Sequence, residues 1–163
     1  MKGKLLIANH TLLFLCASMY LGTGLSLVFF SFPVVPQLTP ESYYLQFVPQ
    51  VQAATEFFST LVKIMLVCGV IMLISEWRQR TYWVPIVALI GLISASALTV
   101  YWIFPLNEEM AGHIKDAERL HIVLAEWMRL SRIRFVLWCV QWVVLAWYFA
   151  RWAWRARYPV FGI

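Results

Sequence analysis

The chain has 163 residues, of which 62% are hydrophobic and 13% charged, with nine Trp and a formal net charge of +5. That composition excludes an ordinary soluble domain. The basic residues border apolar stretches instead of clustering into a module, so nucleic acid is not an expected partner.

Four apolar stretches are each long enough to cross about 30 Å of hydrocarbon at about 1.5 Å per residue. Only helices and closed barrels satisfy their backbone in a bilayer, and the alternating pattern of barrel strands is absent. The expected fold is a single all-α integral membrane domain over 1–163. It is a four-transmembrane-helix bundle with an extracytoplasmic amphipathic helix before the last span.

The first stretch opens MKGK and stays apolar to Phe32. A cleavable signal has an apolar core of only about 7–15 residues, so a retained first span is expected over about 5–30. Asn9, His10 and Thr11 lie in its opening turns. His10 reads as an interfacial polar group or, alternatively, as a cofactor ligand or a hydrogen-bond partner for a quinone. Gly22 and Gly24 permit close helix approach or a bend. Residues 31–50 carry Pro33, Pro36, Pro40 and Pro49, which forbid a continuous helix. Thr39 as cap, with Pro40 in the first turn, predicts a short surface helix. Tyr43, Tyr44 and Phe47 suit the headgroup region.

The second span is expected over about 51–74. Gln52, Glu56, Ser59 and Lys63 recur there at steps that share one helix face. Ionisable groups in a spanning helix are costly and usually face the bundle interior at a site. An inward-facing polar site is therefore expected, with a register-fixing pair or interfacial solvation as alternatives. The third span, about 83–104, carries Gly91, Ser94, Ala95, Ser96 and Ala97, a small-residue face suited to tight packing. An amphipathic helix is expected over 107–130, and the last span over about 135–153. Trp138 and Trp142 lie one turn apart on that span, in a stripe expected to face lipid or a partner subunit. Cys16, Cys68 and Cys139 have no metal or redox spacing and read as apolar packers.

Lys2, Lys4, Arg78, Arg80, Arg151, Arg155 and Arg157 all fall on one side of the expected bundle. The positive-inside rule then places both termini in the cytoplasm, with a bacterial inner membrane as the expected location.

No phosphate loop, nucleophile elbow or dinucleotide fingerprint is present. Glu118 and His121 form a single E-x-x-H, whereas a di-iron bundle needs two such motifs and two further carboxylates. Glu109 and His113 also lie one turn apart and Glu56 is the one further partner on a helix, so the set is incomplete and a metal centre is not expected. His10 and His121 fall on opposite sides and cannot share a haem. What remains as a chemical site is Glu56 with Lys63, closed from outside by Asn107, His121 and Arg134.

Several short motifs resemble the small four-span membrane family typified by anthrone oxygenase. They are a Gly-rich first span ending in Phe and Pro (Gly22, Gly24, Phe29, Phe30, Pro33, Pro36), a P-x-N after the third span (Pro105, Leu106, Asn107), and Trp127 followed by Arg132 and Arg134. The resemblance implies cofactor-independent oxygenation of a polycyclic phenol in a few members. The Glu56–Lys63 pair has no counterpart in that pattern.

Three functional expectations follow. The first is an accessory or structural subunit of a larger membrane complex. Its partner surfaces are the Trp138/Trp142 face and the Gly91-to-Ala97 face, with the lipid bilayer around them. The second is an oxygenase-like membrane enzyme acting on an aromatic or quinone-like substrate. The third is a conduit for protons or small solutes along the polar stripe.

Overall fold

A computed structural model describes residues 2–157. Its α-helices are α1 Lys2–Ser26, α2 Pro40–Gln46, α3 Val48–Glu76, α4 Trp83–Leu98, α5 Phe104–Ala111 and α6 Ala117–Arg157. Four helical stretches are long and apolar enough to cross a membrane: Gly3–Ser31, Pro40–Glu76, Trp83–Ala111 and Ala117–Arg157. They run alternately up and down. One end of the bundle gathers the start of α1, the end of α3, the start of α4 and the end of α6, and holds Lys4, Arg78, Arg80, Arg151 and Arg155. The opposite, distal end is closed by α2, α5 and the start of α6. Residues 158–163 of the basic tail lie outside the described residues.

Two prolines shape the bundle. α1 and α4 each run into a π-helical turn, Leu27–Ser31 and Thr99–Ile103. Each turn is closed by the amide just before a proline. Phe32 N–H donates to Leu27 O ahead of Pro33, and Phe104 N–H donates to Thr99 O ahead of Pro105. A proline ring clashes with the carbonyl four residues back, and a widened turn makes room for it. The helix therefore continues past Pro105 as α5, beyond the expected end of the third span at residue 104.

The core has two layers. Nearer the basic end, Leu13, Met65, Met72, Val84 and Leu145 are almost fully buried. At the distal end, Phe32, Tyr43, Ile103, Met110, Leu124 and Trp127 form a second cluster. Tyr43, fully buried, pins this cap: its hydroxyl donates to Met110 O at 3.0 Å and accepts from Ile114 N–H at 2.5 Å. It is therefore a core residue and not a headgroup contact. Thr39 caps α2 as expected, in a reciprocal box with Ser42 and with Pro40 in the first turn.

Glycines set the closest approaches. A β-carbon on Gly24 would collide with the Phe135 ring and stand 3.0 Å from Trp138, locking α1 against α6. One on Gly69 would stand 2.7 Å from Leu89, locking α3 against α4 near the basic end. Gly22 faces open space.

Three expectations are corrected. The segment 107–130 is not one amphipathic helix. Asn107 to Ala111 finish α5, Gly112 and His113 turn the chain (His113 at φ 60°), and α6 then runs unbroken for 41 residues into the last span. No proline or glycine interrupts it, so the charges of Arg129, Arg132 and Arg134 mark polarity and not a helix end. At about 60 Å, α6 is about twice the hydrocarbon thickness. The Trp138/Trp142 face, expected toward lipid or a partner, is turned inward. Trp138 is 5% exposed and packs on Tyr20, while Trp142 stacks on Phe14 and donates to Ser18 Oγ at 2.9 Å. The Gly91-to-Ala97 face is used largely within the chain. Gly91, Leu92 and Ala95 are buried, and Gln141 Nε2 of α6 donates to Ala88 O at 3.2 Å one turn away.

Candidate functional site: a cleft between the distal halves of the helices

Gly69 draws α3 and α4 together near the basic end, and toward the distal end they leave a cleft of about 470 Å³. All four spanning helices line it. Both π-helical turns contribute to its wall, through Leu27 and Ser31 and through Thr99 and Val100. Such turns interrupt the regular face of a helix and re-aim its side chains. The lining reaches the surface beside Ser59, Lys63 and Val100 on the α3–α4 side, and beside Ser26 and Gln50 on the α1–α3 side.

Arg134 of α6 stands in the cleft wall. Its Nη1 donates to Thr99 Oγ1 at 3.2 Å, and its guanidinium lies 4.9 Å over the Trp138 ring. Its Nε is buried with no acceptor. Among the described residues no carboxylate pairs with it, and no acidic residue lines the cleft. Lys63, exposed, is the second lining cation. An aromatic series completes the wall: Phe58 and Tyr20 rings have centroids 4.6 Å apart, and Tyr20 and Trp138 rings 4.8 Å apart. The Tyr20 hydroxyl donates to Phe58 O at 2.9 Å, tying α1 to α3 behind the cleft.

A second cleft of about 520 Å³ lies between α3 and α5 and shares Phe47, Val51, Thr55 and Phe104 with the first. It holds Gln52, Glu56, Asn107 and Glu108. Asn107 is fixed there by Trp127, whose Nε1 donates to Asn107 Oδ1 at 2.9 Å.

The expected site is thus divided. Lys63 and Arg134 share one cleft, and Glu56 and Asn107 share its neighbour. The polar stripe is not turned into the bundle interior: Gln52, Glu56, Ser59 and Lys63 are all exposed. Among the described residues no ion pair joins Glu56 to Lys63. The physical reason is the register of α3, which buries Leu61, Met65, Cys68 and Met72 on the face away from the stripe. Glu118 and His121 are exposed on α6 outside both clefts, and no group of three or more metal-ligating side chains occurs among the described residues.

His10 has a different setting. It is 7% exposed at the basic end, with Nε2 3.2 Å from Ser75 Oγ and Nδ1 3.4 Å from the Tyr148 hydroxyl. Tyr148 in turn donates to Glu76 Oε1 at 2.9 Å, and Thr81 donates to the other oxygen of Glu76. Glu76 was hidden within a turn that reads as basic, SEWRQR, where a lone acid is the one available signal. Thr99, Tyr20 and Phe58 carry no such signal, because only the π-turn and the helix crossing bring them to Arg134.

Chemically, the first cleft offers a guanidinium in low dielectric, hydroxyls from Thr55, Ser96 and Thr99, and flat apolar walls. Fixed donors of this kind stabilise negative charge on a bound oxygen. No carboxylate or imidazole lines this cleft, whereas Glu56 and Glu108 line the adjoining one. Comparison with protein-family models, curated proteins and solved structures gives no match.

Proposed function

We propose that this chain is an integral membrane protein that takes a lipid-soluble aromatic or quinone-like molecule from the bilayer into the cleft between α3 and α4. In this reading it is a small membrane enzyme of the oxygenase type. The observation that carries it is the cleft itself: about 470 Å³ with aromatic walls, hydroxyls and a guanidinium without a counter-ion, reaching the surface at helix faces that lipid would surround. Pockets of this size and lining suit a small organic ligand. Arg134 contributes electrostatic stabilisation of an oxyanion, and the Glu56 carboxylate contributes a base at the adjoining opening. The resemblance of the Phe-Pro, Pro-Leu-Asn and Trp127–Arg134 motifs to the anthrone oxygenase family supports the same chemistry. The basic end faces the cytoplasm of a bacterial inner membrane, with both termini inside.

An accessory-subunit role is the second reading. Its support is the outward-facing Gln52 and Glu56, polar groups that a neighbouring chain would cover. The Trp138 and Gly91 surfaces no longer support it, because this chain uses them itself. A conduit has less support, since Met65, Met72, Val84 and Leu145 fill the bundle toward the basic end.

The test is saturable quenching of Trp fluorescence by menadione, with the protein in lipid nanodiscs. Wild type is expected to show a saturable component, and Ser96→Phe, which fills the cleft, is expected to lose it. Quenching that is non-saturable and identical in both proteins would remove the cleft as a binding site.

A further inference from the structure

We infer that the occupant of the α3–α4 cleft is an anion: a lipid-soluble organic acid whose charged oxygen pairs with Arg134 and whose flat apolar body lies against the Phe58–Tyr20–Trp138 wall. This rests on the binding reading above and names the chemical class of its ligand.

Charge balance carries the inference. A guanidinium withdrawn from water is costly unless an anion or several acceptors compensate it. Arg134 has one acceptor, the neutral Thr99 hydroxyl, and the face of Trp138. Its Nε has none. The other arginines held by side-chain ion pairs, Arg119 with Glu109 and Arg129 with Glu126, are surface groups with carboxylates of their own. Arg134 is placed differently, facing a cleft with two lining cations and no lining acid among the described residues. Such a wall attracts one negative charge and repels a cation.

Position agrees with this. Arg134 stands about 25 Å along α6 from Arg151 at the basic end, toward the far side of a hydrocarbon layer about 30 Å thick. An acid dissolved in the distal leaflet, with its head near the surface, meets the cleft at that depth. Lys63 on the rim supplies a first point of attraction, and its flexible stem lets the ammonium follow the ligand inward. The ring series favours a flat body over a phospholipid, because aromatic faces stack on planar ligands and gain nothing specific from acyl chains.

The test uses the full chain in phosphatidylcholine nanodiscs, titrated with pyrenebutyrate and separately with the neutral pyrenebutanol. Energy transfer from Trp to pyrene is read, and empty discs give the partition background. Both probes are expected to saturate, the acid about tenfold tighter or more, as a charge-assisted contact supplies. Arg134→Gln is expected to erase most of that preference, weakening pyrenebutyrate far more than pyrenebutanol. Lys63→Gln, at an exposed site on the rim, is expected to reduce it several-fold. Equal affinity of the two probes for wild type, or a preference that survives both variants, overturns the anion assignment while leaving the cleft as a binding site. No saturable binding of either probe overturns the binding reading as well. Loss of the pyrenebutyrate signal when phosphatidylglycerol is included in the discs overturns the organic acid in favour of a phospholipid headgroup.

Discussion

Arg134 Nη1 meets Thr99 Oγ1 at 3.2 Å because a π-helical turn delivers that threonine to the cleft wall. Thr99 donates its own proton to Ala95 O at 2.8 Å, so its oxygen is left to accept from the guanidinium. A hydrogen bond to a charged group contributes about 1.5–3 kcal/mol. Thr99→Val keeps the volume and removes the acceptor, leaving a withdrawn cation with only an aromatic face. It is expected to destabilise the bundle by about 1–3 kcal/mol in denaturant titrations in mild detergent, and Thr99→Ser is expected to recover most of the loss. Wild-type stability for the valine variant would mean that Arg134 does not depend on this contact.

Three of the glycines in the first two spans, Gly22, Gly24 and Gly69, separate packing from tolerance. Gly24 and Gly69 lie where a β-carbon collides with Phe135 or presses on Leu89, and Gly22 lies in open space. Gly24→Ala is expected to cost about 1–3 kcal/mol, the usual penalty of overpacking, because an aromatic ring on a packed helix yields little. Gly69→Ala is expected to cost less, since Leu89 can change rotamer. Gly22→Ala is expected to be neutral or to stabilise by up to about 1 kcal/mol, the helix preference of alanine over glycine. Thermal unfolding of the three variants ranks them, and equal effects would deny the close α1–α6 approach.

The spans were legible in the sequence because hydrocarbon demands long apolar helices, a constraint that local chemistry cannot override. Thr39 and Pro40 were legible for the same kind of reason: a capping box is a contact among near neighbours in the chain. The start of the amphipathic helix, expected at residue 107, is misplaced, because the third span continues past Pro105 to Ala111 and α6 begins only at Ala117. The candidate site was half legible. Lys63 and Arg134 are rare charges beside apolar spans, so they stood out. Their separation from Glu56 did not, because a helical repeat says which residues share a face but not which way that face points. Trp138 was misread for the same reason, and Gly24 is what lets it turn inward.

Tyr43 is expected to hold the distal cap. Its hydroxyl both donates to Met110 O and accepts from Ile114 N–H, joining α2 to the end of α5 and to the turn before α6. Tyr43→Phe leaves the Ile114 N–H without its acceptor, at a cost of about 1–3 kcal/mol, while Met110 O keeps the N–H of His113. The loss should be local, because the core nearer the basic end is a separate cluster. Hydrogen exchange is the discriminating measurement. The amide of Ile114 should lose protection strongly, while amides around Met65 and Leu92 keep theirs. Uniform loss across the chain would show that cap and bundle unfold together.

At the other end, Tyr148 and Glu76 are expected to act as one unit. Tyr148 donates to Glu76 at 2.9 Å and approaches His10 at 3.4 Å, while Thr81 donates to the second carboxylate oxygen. These contacts join α1, α3 and α6 at the basic end with no metal-ligating cluster among the described residues. Tyr148→Phe removes the donor and Glu76→Gln removes the charge that strengthens the acceptor, each at about 1–2 kcal/mol. If the contact is real, the double variant loses less than the sum of the singles, with a coupling of about 0.5–3 kcal/mol. Combining Tyr148→Phe with Tyr43→Phe supplies the control, because those two sites share no partner and lie in different core clusters. Their effects are expected to add within about 0.5 kcal/mol. Additivity in the first pair would dissolve the network into independent surface contacts. Coupling in the control pair would mean instead that the helices transmit strain between the two ends.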